Sequence, residues 1–154
     1  MERRFEIKIC GMRLEDDIKK ADELGVEYVG FVFYPKSPRF VNPIHLVGLL
    51  SHLAVSCRKI GVFVNEKRDY VEKIVSDMGL YAVQLHGDEH PSDFAEFPVP
   101  LWRAVRQNVH NIEKESAKWN VERYVLDTGT HEKYGGTGIM GDMNEAAKFA
   151  GKHK

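Results

Sequence analysis

Residues 28–33 read YVGFVF, an unbroken apolar run rich in β-branched and aromatic side chains. A strand with one solvated face alternates apolar and polar residues, whereas a strand buried on both faces is apolar throughout. Similar runs recur along the 154-residue chain. They predict strands at residues 5–9, 28–33, 59–64, 82–85, 101–105 and 123–126. Such runs indicate a parallel sheet.

Segments with helical periodicity separate these runs. The apolar residues Val71, Ile74, Val75 and Met78 form one stripe, which Gly79 ends as a C-cap. A second stripe consists of Leu14, Ile18, Ala21 and Leu24, and further helices are predicted at residues 43–53, 91–97, 112–119 and 143–150. Six alternating β-α units predict parallel strands joined by right-handed crossovers.

Two architectures contain such units, an open doubly wound sheet and a (β/α)-barrel. The first strand-to-helix turn, residues 10–13, reads CGMR and lacks the GxGxxG of dinucleotide-binding open sheets. The periodicity therefore favours the barrel only slightly.

Composition argues against several classes of protein. The formal net charge of −1, without a basic stripe, argues against nucleic-acid binding. No apolar run approaches the roughly 20 residues that cross a bilayer, so no membrane association is expected. The start of the chain shows no signal peptide, which predicts a cytoplasmic protein. In a reducing compartment no disulfide is expected between Cys10 and Cys57. The spacing of the cysteines and histidines does not match that of metal ligands, so no metal is expected either.

Polar residues follow the predicted strands, at the edge where both architectures bind ligands. Cys10, Asn65, His86, Arg106 and Asp127 occupy such positions. Together they predict a catalytic face at the carboxyl ends of the strands.

Each candidate also has a structural alternative. Cys10 is a thiolate nucleophile, a general base or a buried structural thiol, and Lys8, on the same side of its strand, could favour the thiolate. Asp127 follows an apolar run in which a buried charge would be costly, but it could instead cap or turn the next segment. His86 is a ligand, a proton donor or a structural histidine, and the last is favoured for this residue taken alone.

Two loops could bind an anion. Lys36 and Arg39 follow the second strand and suit a phosphate or a carboxylate, although they could be solvated loop charges. Residues 134–138 read YGGTG, and glycines allow close backbone approach to a ligand, although a flexible turn has the same composition.

Six blocks of the chain, in order, resemble the phosphoribosylanthranilate isomerase family. They are KICG at residues 8–11, GFVFYPKSPR at 30–39, GVFVN at 61–65, VQLHG at 83–87, LDT at 126–128 and YGGTG at 134–138. The resemblance implies an α/β fold of the (β/α)8 TIM-barrel family, here truncated to about six β-α units in one partial-barrel domain, residues 1–154. It also implies an isomerase of tryptophan biosynthesis that carries out an Amadori rearrangement without a cofactor or metal.

The resemblance assigns roles to individual residues. Cys10 matches the general base of the family and Asp127 the general acid, so that Asp127 must be protonated while Cys10 is deprotonated. Arg39 matches a substrate-contacting arginine. Lys36, His86 and the loop residues Gly135, Gly136, Thr137 and Gly138 complete the expected substrate site.

The chain also departs from the family pattern. The family barrel has eight strands, and its phosphate site lies on the seventh and eighth. After GTG the usual Lys-Thr-Phe-Asp-Trp is replaced, with only Asp142 kept. We therefore expect a fragment that turns over poorly, with exposed strand edges that could pair in a homodimer. The alternatives are a module that binds a phosphorylated ligand or a protein, and a different sugar-phosphate isomerase or synthase.

Overall fold

Strands and helices alternate throughout the computed structural model, which describes residues 5–51, 55–106, 112–128 and 141–153. The elements are β1 (Lys8–Cys10), α1 (Glu15–Glu23), β2 (Tyr28–Val32), α2 (Pro43–Ser51), β3 (Arg58–Phe63), α3 (Arg68–Met78), β4 (Ala82–Leu85), a 3-10 helix (Pro91–Phe94), β5 (Leu101–Arg106), α4 (Ile112–Ser116), β6 (Arg123–Asp127) and α5 (Met143–Ala150). All six predicted strands are therefore confirmed, and β4 has the predicted bounds while the other five have shifted ends.

The strands form one parallel sheet in the order β1-β2-β3-β4-β5-β6. In a doubly wound sheet the order reverses at the point where the chain switches sides. Here each strand adds to the edge left by its predecessor, which is the order of a (β/α)-barrel. The sheet is thus an arc of a TIM barrel, and the open-sheet alternative is wrong.

The two faces of the sheet bury different sets of side chains, which explains the continuous apolar runs. On the outer face Val29, Phe31, Phe63, Val83 and Leu85 pack in a core that includes Ile18, Leu46 and Ile74 of the helices. On the inner face Tyr28, Ile60, Ala82 and Trp102 form a separate cluster. Burial on both faces requires apolar residues at successive positions.

The helices follow the predicted stripes with local exceptions. Gly79 ends α3 with φ 57°, a left-handed conformation that favours glycine, so the predicted C-cap is confirmed. Leu14 and Leu24, which flank α1, are 63% and 65% exposed, so only Ile18 and Ala21 of that stripe are buried. No helix within the described ranges is long and apolar enough to cross a membrane.

Several predicted boundaries are wrong. β1 begins at Lys8, and Phe5 and Ile7, expected in the strand, are largely exposed. The helix predicted at residues 91–97 is only a 3-10 turn, which ends at Phe94 because Ala95 adopts an extended backbone with ψ 138°. The helix predicted at residues 143–150 has the expected bounds, and within it Met143 is exposed and Phe149 is buried.

Candidate active site

Cys10, His86 and Asp127 lie at the carboxyl edge of the sheet on its inner face. Cys10 and Asp127 are the last residues of β1 and β6, and His86 directly follows β4. All three side chains are partly buried. The strands thus place a thiol, an imidazole and a carboxyl group on one rim, as the sequence predicts.

The Cys10 thiol lies over a glycine of the neighbouring strand. Gly30 pairs in register with Cys10, and a Cβ built on Gly30 would lie 2.8 Å from Cys10 Sγ and 3.1 Å from Lys8 Nζ. Glycine therefore makes room for both groups, and Lys8 points to the same side as Cys10, as expected from their spacing.

Lys8 Nζ donates a hydrogen bond to Gln84 Oε1 at 3.0 Å, so the ammonium group is bound to a side-chain amide below the rim. Gln84 Nε2 lies 2.9 Å from His86 Nδ1, and His86 Nε2 lies 2.9 Å from Asp127 Oδ2. A continuous chain of hydrogen bonds thus runs from β1 through β4 to β6. This network of hydrogen bonds holds Asp127 Oδ2, and the segment that Asp127 could cap lies outside the described residues.

Arg39 packs against the turn that follows Cys10. Gly11 has φ 88°, and a Cβ there would lie 2.5 Å from Arg39 Cδ. The exposed Arg39 side chain therefore crosses the backbone next to the thiol, where its guanidinium could reach a bound anion.

The other predicted binding residues lie in an exposed turn or outside the described residues. Lys36 is exposed in a turn closed by Ser37 N donating to Tyr34 O at 2.9 Å. Gly135, Gly136, Thr137 and Gly138 lie outside the described residues.

Two further rim residues have a structural role. Asn65 adopts φ 55°, its backbone N–H donates to Glu89 Oε1, and its Oδ1 accepts from Asp88 N at 2.6 Å. Arg106 pairs with Asp88 at 3.4 Å. These contacts shape the loop after β4 that carries His86.

Gln84 is the residue that the sequence-based prediction of the site missed. It is 3% exposed within an otherwise apolar strand and lies two residues before His86, hence on the same face. A buried amide needs hydrogen-bond partners, so a single glutamine within an apolar strand could have been predicted from the sequence to bind other polar groups of the site. No group of three or more potential metal-ligating side chains occurs in the described ranges.

Comparison with known proteins identifies the family of the chain. A model of the N-(5'-phosphoribosyl)anthranilate (PRA) isomerase family matches residues 7–153. The N-(5'-phosphoribosyl)anthranilate isomerase of Thermoanaerobacter sp. (strain X514) is 39% identical over 137 residues, which cover 86% of this chain and 66% of the relative. The chain thus spans just under two thirds of the length of that relative.

Solved structures show the same arrangement of strands and helices. Phosphoribosyl anthranilate isomerase from Thermus thermophilus superposes with a TM-score of 0.81 at 24% identity, covering 96% of this chain and 72% of that one. A phosphoribosyl anthranilate isomerase in complex with reduced 1-(o-carboxyphenylamino)-1-deoxyribulose 5-phosphate gives 0.74 at 30% identity, covering 80% and 65%. With a family match over nearly the whole chain, this protein belongs to the N-(5'-phosphoribosyl)anthranilate isomerase family.

Proposed function

We propose that the protein catalyses the Amadori rearrangement of N-(5'-phosphoribosyl)anthranilate to 1-(2-carboxyphenylamino)-1-deoxyribulose 5-phosphate, a step of tryptophan biosynthesis. Cys10 acts as the general base and Asp127 as the general acid. The observation that carries the proposal is the placement of both groups on the inner rim, with Asp127 Oδ2 held 2.9 Å from His86 Nε2. Ligands of barrels bind at this rim.

In the first step Asp127 donates a proton to the ring oxygen of the ribose. The bond between C1 and the ring oxygen breaks, and the lone pair of the anthranilate nitrogen forms a C=N bond to C1. The ring opens to a protonated Schiff base, and Asp127 is left as a carboxylate. Proton transfer from a positioned acid contributes about 10²- to 10⁴-fold to such a step.

In the second step the Cys10 thiolate removes the proton from C2. The C–H electrons form a C1=C2 double bond, and the C=N electrons return to nitrogen, which gives an enolamine. The enol then loses its hydroxyl proton while C1 gains one, which yields the ketone. The product is an isomer of the substrate, so no oxidant, reductant or cofactor enters the balance.

Other residues bind the substrate in this proposal. Arg39, beside Gly11, would contact an anionic group of the substrate, with Lys36, His86 and the loop residues Gly135–Gly138 as further contacts. We also propose that the protein works in the cytoplasm, since the free thiols Cys10 and Cys57 suit a reducing compartment. A homodimer is proposed because one relative, from Thermotoga maritima, is described as dimeric.

Loss of substrate fluorescence tests the acid-base roles. Cys10→Ala and Asp127→Asn should each lower kcat by about 10²- to 10⁴-fold. The matched controls are Cys57→Ala, which changes the other cysteine, and Asp88→Asn, which changes a rim carboxylate with 63% exposure. Both controls should keep kcat within a few-fold of the unsubstituted chain.

Calorimetric titration with reduced 1-(o-carboxyphenylamino)-1-deoxyribulose 5-phosphate completes the test. Turnover that depends on Cys10 and Asp127 supports the proposal. Binding of this compound without turnover would contradict it and support a module that binds phosphorylated ligands. Turnover that survives both substitutions would show that the acid and the base are other residues.

A further inference from the structure

We propose that Lys8 and Gln84 fix His86 as the neutral tautomer with its proton on Nε2, and so fix which oxygen of Asp127 carries the transferable proton. The inference rests on the acid role proposed above for Asp127. Gln84 and Lys8 are positioning residues here, since they act on Asp127 through His86.

The first link sets the orientation of the Gln84 amide. The ammonium group of Lys8 has three donors and no acceptor. Its contact of 3.0 Å must therefore be with the carbonyl oxygen, Oε1, and the amide NH2 must point the other way. Gln84 is 3% exposed, so water offers little alternative to this partner.

The second link sets the proton position on His86. Gln84 Nε2 lies 2.9 Å from His86 Nδ1, and an amide NH2 can only donate. Nδ1 must therefore accept and carry no proton. In the neutral ring the proton is then on Nε2, which donates to Asp127 Oδ2 at 2.9 Å.

The alternatives each place two donors face to face. A proton on Nδ1 would oppose the Gln84 NH2 group, and rotating that amide would turn the NH2 group toward Lys8 instead. The side chains of His86 and Asp127 are only 15% and 16% exposed, so such a conflict is poorly relieved by solvent. The cation on β1 thus determines a proton position on β4.

The consequence for Asp127 concerns its two oxygens. Oδ2 accepts a hydrogen bond from His86, so the proton of the carboxylic acid belongs on Oδ1. The carboxyl plane is held by a partner whose donor direction does not change. Asp127 would then present its acidic proton in one orientation to the ring oxygen of the substrate.

Nitrogen-15 NMR of labelled histidine reads the tautomer directly, because protonated and unprotonated ring nitrogens have separate shifts. The chain has 7 histidines, and a His86→Gln variant assigns the signal. In the unsubstituted chain we expect the proton on Nε2. In Gln84→Glu the new carboxylate accepts from both Lys8 and Nδ1–H, so we expect a proton on Nδ1.

Two variants test the series of hydrogen bonds from Lys8 to Asp127 without adding a buried charge. Gln84→Met and Lys8→Met should each give a mixture of tautomers and lower kcat roughly 10- to 100-fold with little change in KM. The matched control is Lys59→Met, which removes a strand lysine that donates to the carbonyl of Met78. It should leave the His86 signal and kcat unchanged.

The inference is overturned by a proton on Nδ1 in the unsubstituted chain, or by a folded Gln84→Glu variant that keeps it on Nε2. If Gln84→Glu does not fold, an unchanged Nε2 signal in both methionine variants overturns it. These spectra need no substrate. A proton on Nε2 in a protein whose Cys10 and Asp127 variants retain turnover would contradict the proposed acid and base roles alone and leave the tautomer assignment standing.

Discussion

Replacing Gly30 with alanine should displace the Cys10 thiol, whose sulfur is the atom nearest to the added Cβ. The added Cβ would lie 2.8 Å from Cys10 Sγ, 3.1 Å from Lys8 Nζ and 3.2 Å from Cys10 Cα. Favourable contacts between such atoms lie near 3.5–4.0 Å, so the thiol would have to move by about 1 Å. The close approach to the backbone of Cys10 cannot be relieved by a side-chain rotation alone.

Two opposing effects determine how much Gly30→Ala changes the free energy of unfolding. Overpacking in a tight site costs about 1–3 kcal/mol, whereas replacing a strand glycine gains about 0.5–1 kcal/mol of backbone free energy. The net effect on the free energy of unfolding is a loss of up to about 2.5 kcal/mol. A displacement of about 1 Å at a reacting group can lower kcat about 100-fold.

Gly48→Ala is the matched control, because a Cβ at this position in α2 meets no atom within 4 Å. It should stabilise the chain by about 0.5–1 kcal/mol. Urea unfolding followed by circular dichroism measures both variants. The double variant Gly30→Ala, Cys10→Ala should recover about 0.5–2 kcal/mol, because the closest contact is removed.

The reasoning is refuted if Gly30→Ala is as stable as Gly48→Ala and turns over like the unsubstituted chain. It is also refuted if removal of Cys10 Sγ recovers nothing. In that case the cost would come from the backbone of β1, and the thiol would not be confined by Gly30.

Three further predictions concern groups outside the proposed acid-base pair. The hydroxyl and backbone N–H of Ser56 hold the pKa of Asp22 below its usual value, so the stability advantage over Asp22→Asn should be full above about pH 4 and fade as the pH falls further. Burial raises the pKa of the Cys57 thiol, which is 7% exposed, so iodoacetamide should modify it only after unfolding, as detected by mass spectrometry. Glu89→Gln should cost about 3–5 kcal/mol in urea unfolding, because it breaks an ion pair with Arg103 whose side chains are 2% and 12% exposed.

Each of these predictions has a contradicting outcome. An acid-unfolding curve unchanged by Asp22→Asn would show that the Ser56 contacts add no net stability. Rapid labelling of native Cys57 would mean that the outer core opens readily. A loss no larger than that of Glu23→Gln, in the exposed Lys20–Glu23 pair, would show that the Glu89 carboxylate is well solvated.

Local patterns predicted the elements better than their arrangement. The run at residues 28–33 looks the same in a barrel and in an open sheet, because both bury a parallel strand on its two faces. The order of the strands depends on pairings between segments far apart in the chain. Phe5 and Ile7 show the opposite failure, since apolar character predicted strand where the chain has none.

The candidate site was predictable in position but not in its contacts. The carboxyl ends of parallel strands share one edge, which is why Cys10, His86 and Asp127 could be expected together. The same rule selected Asn65, whose contacts instead support the loop after β4. Position on an edge says nothing about partners, and the Lys8–Gln84 contact joins residues 76 positions apart.

The inner face explains how side chains that far apart are held in register. Three polar pairs cross it at successive levels, each joining two of β1, β4 and β6 or the residues that flank them: Glu6–Arg123, Lys8–Gln84 and His86–Asp127. At the lowest level Arg123 also donates to Tyr28 Oη at 3.0 Å, and its guanidinium holds the pKa of Glu6 below the usual value. Apolar contacts tolerate sliding of one strand past another, whereas a hydrogen bond requires particular atoms to meet. The polar pairs therefore add to the backbone ladder in fixing the positions of β1, β4 and β6 relative to one another, and with them the separation of the Cys10 thiol from the Asp127 carboxyl group.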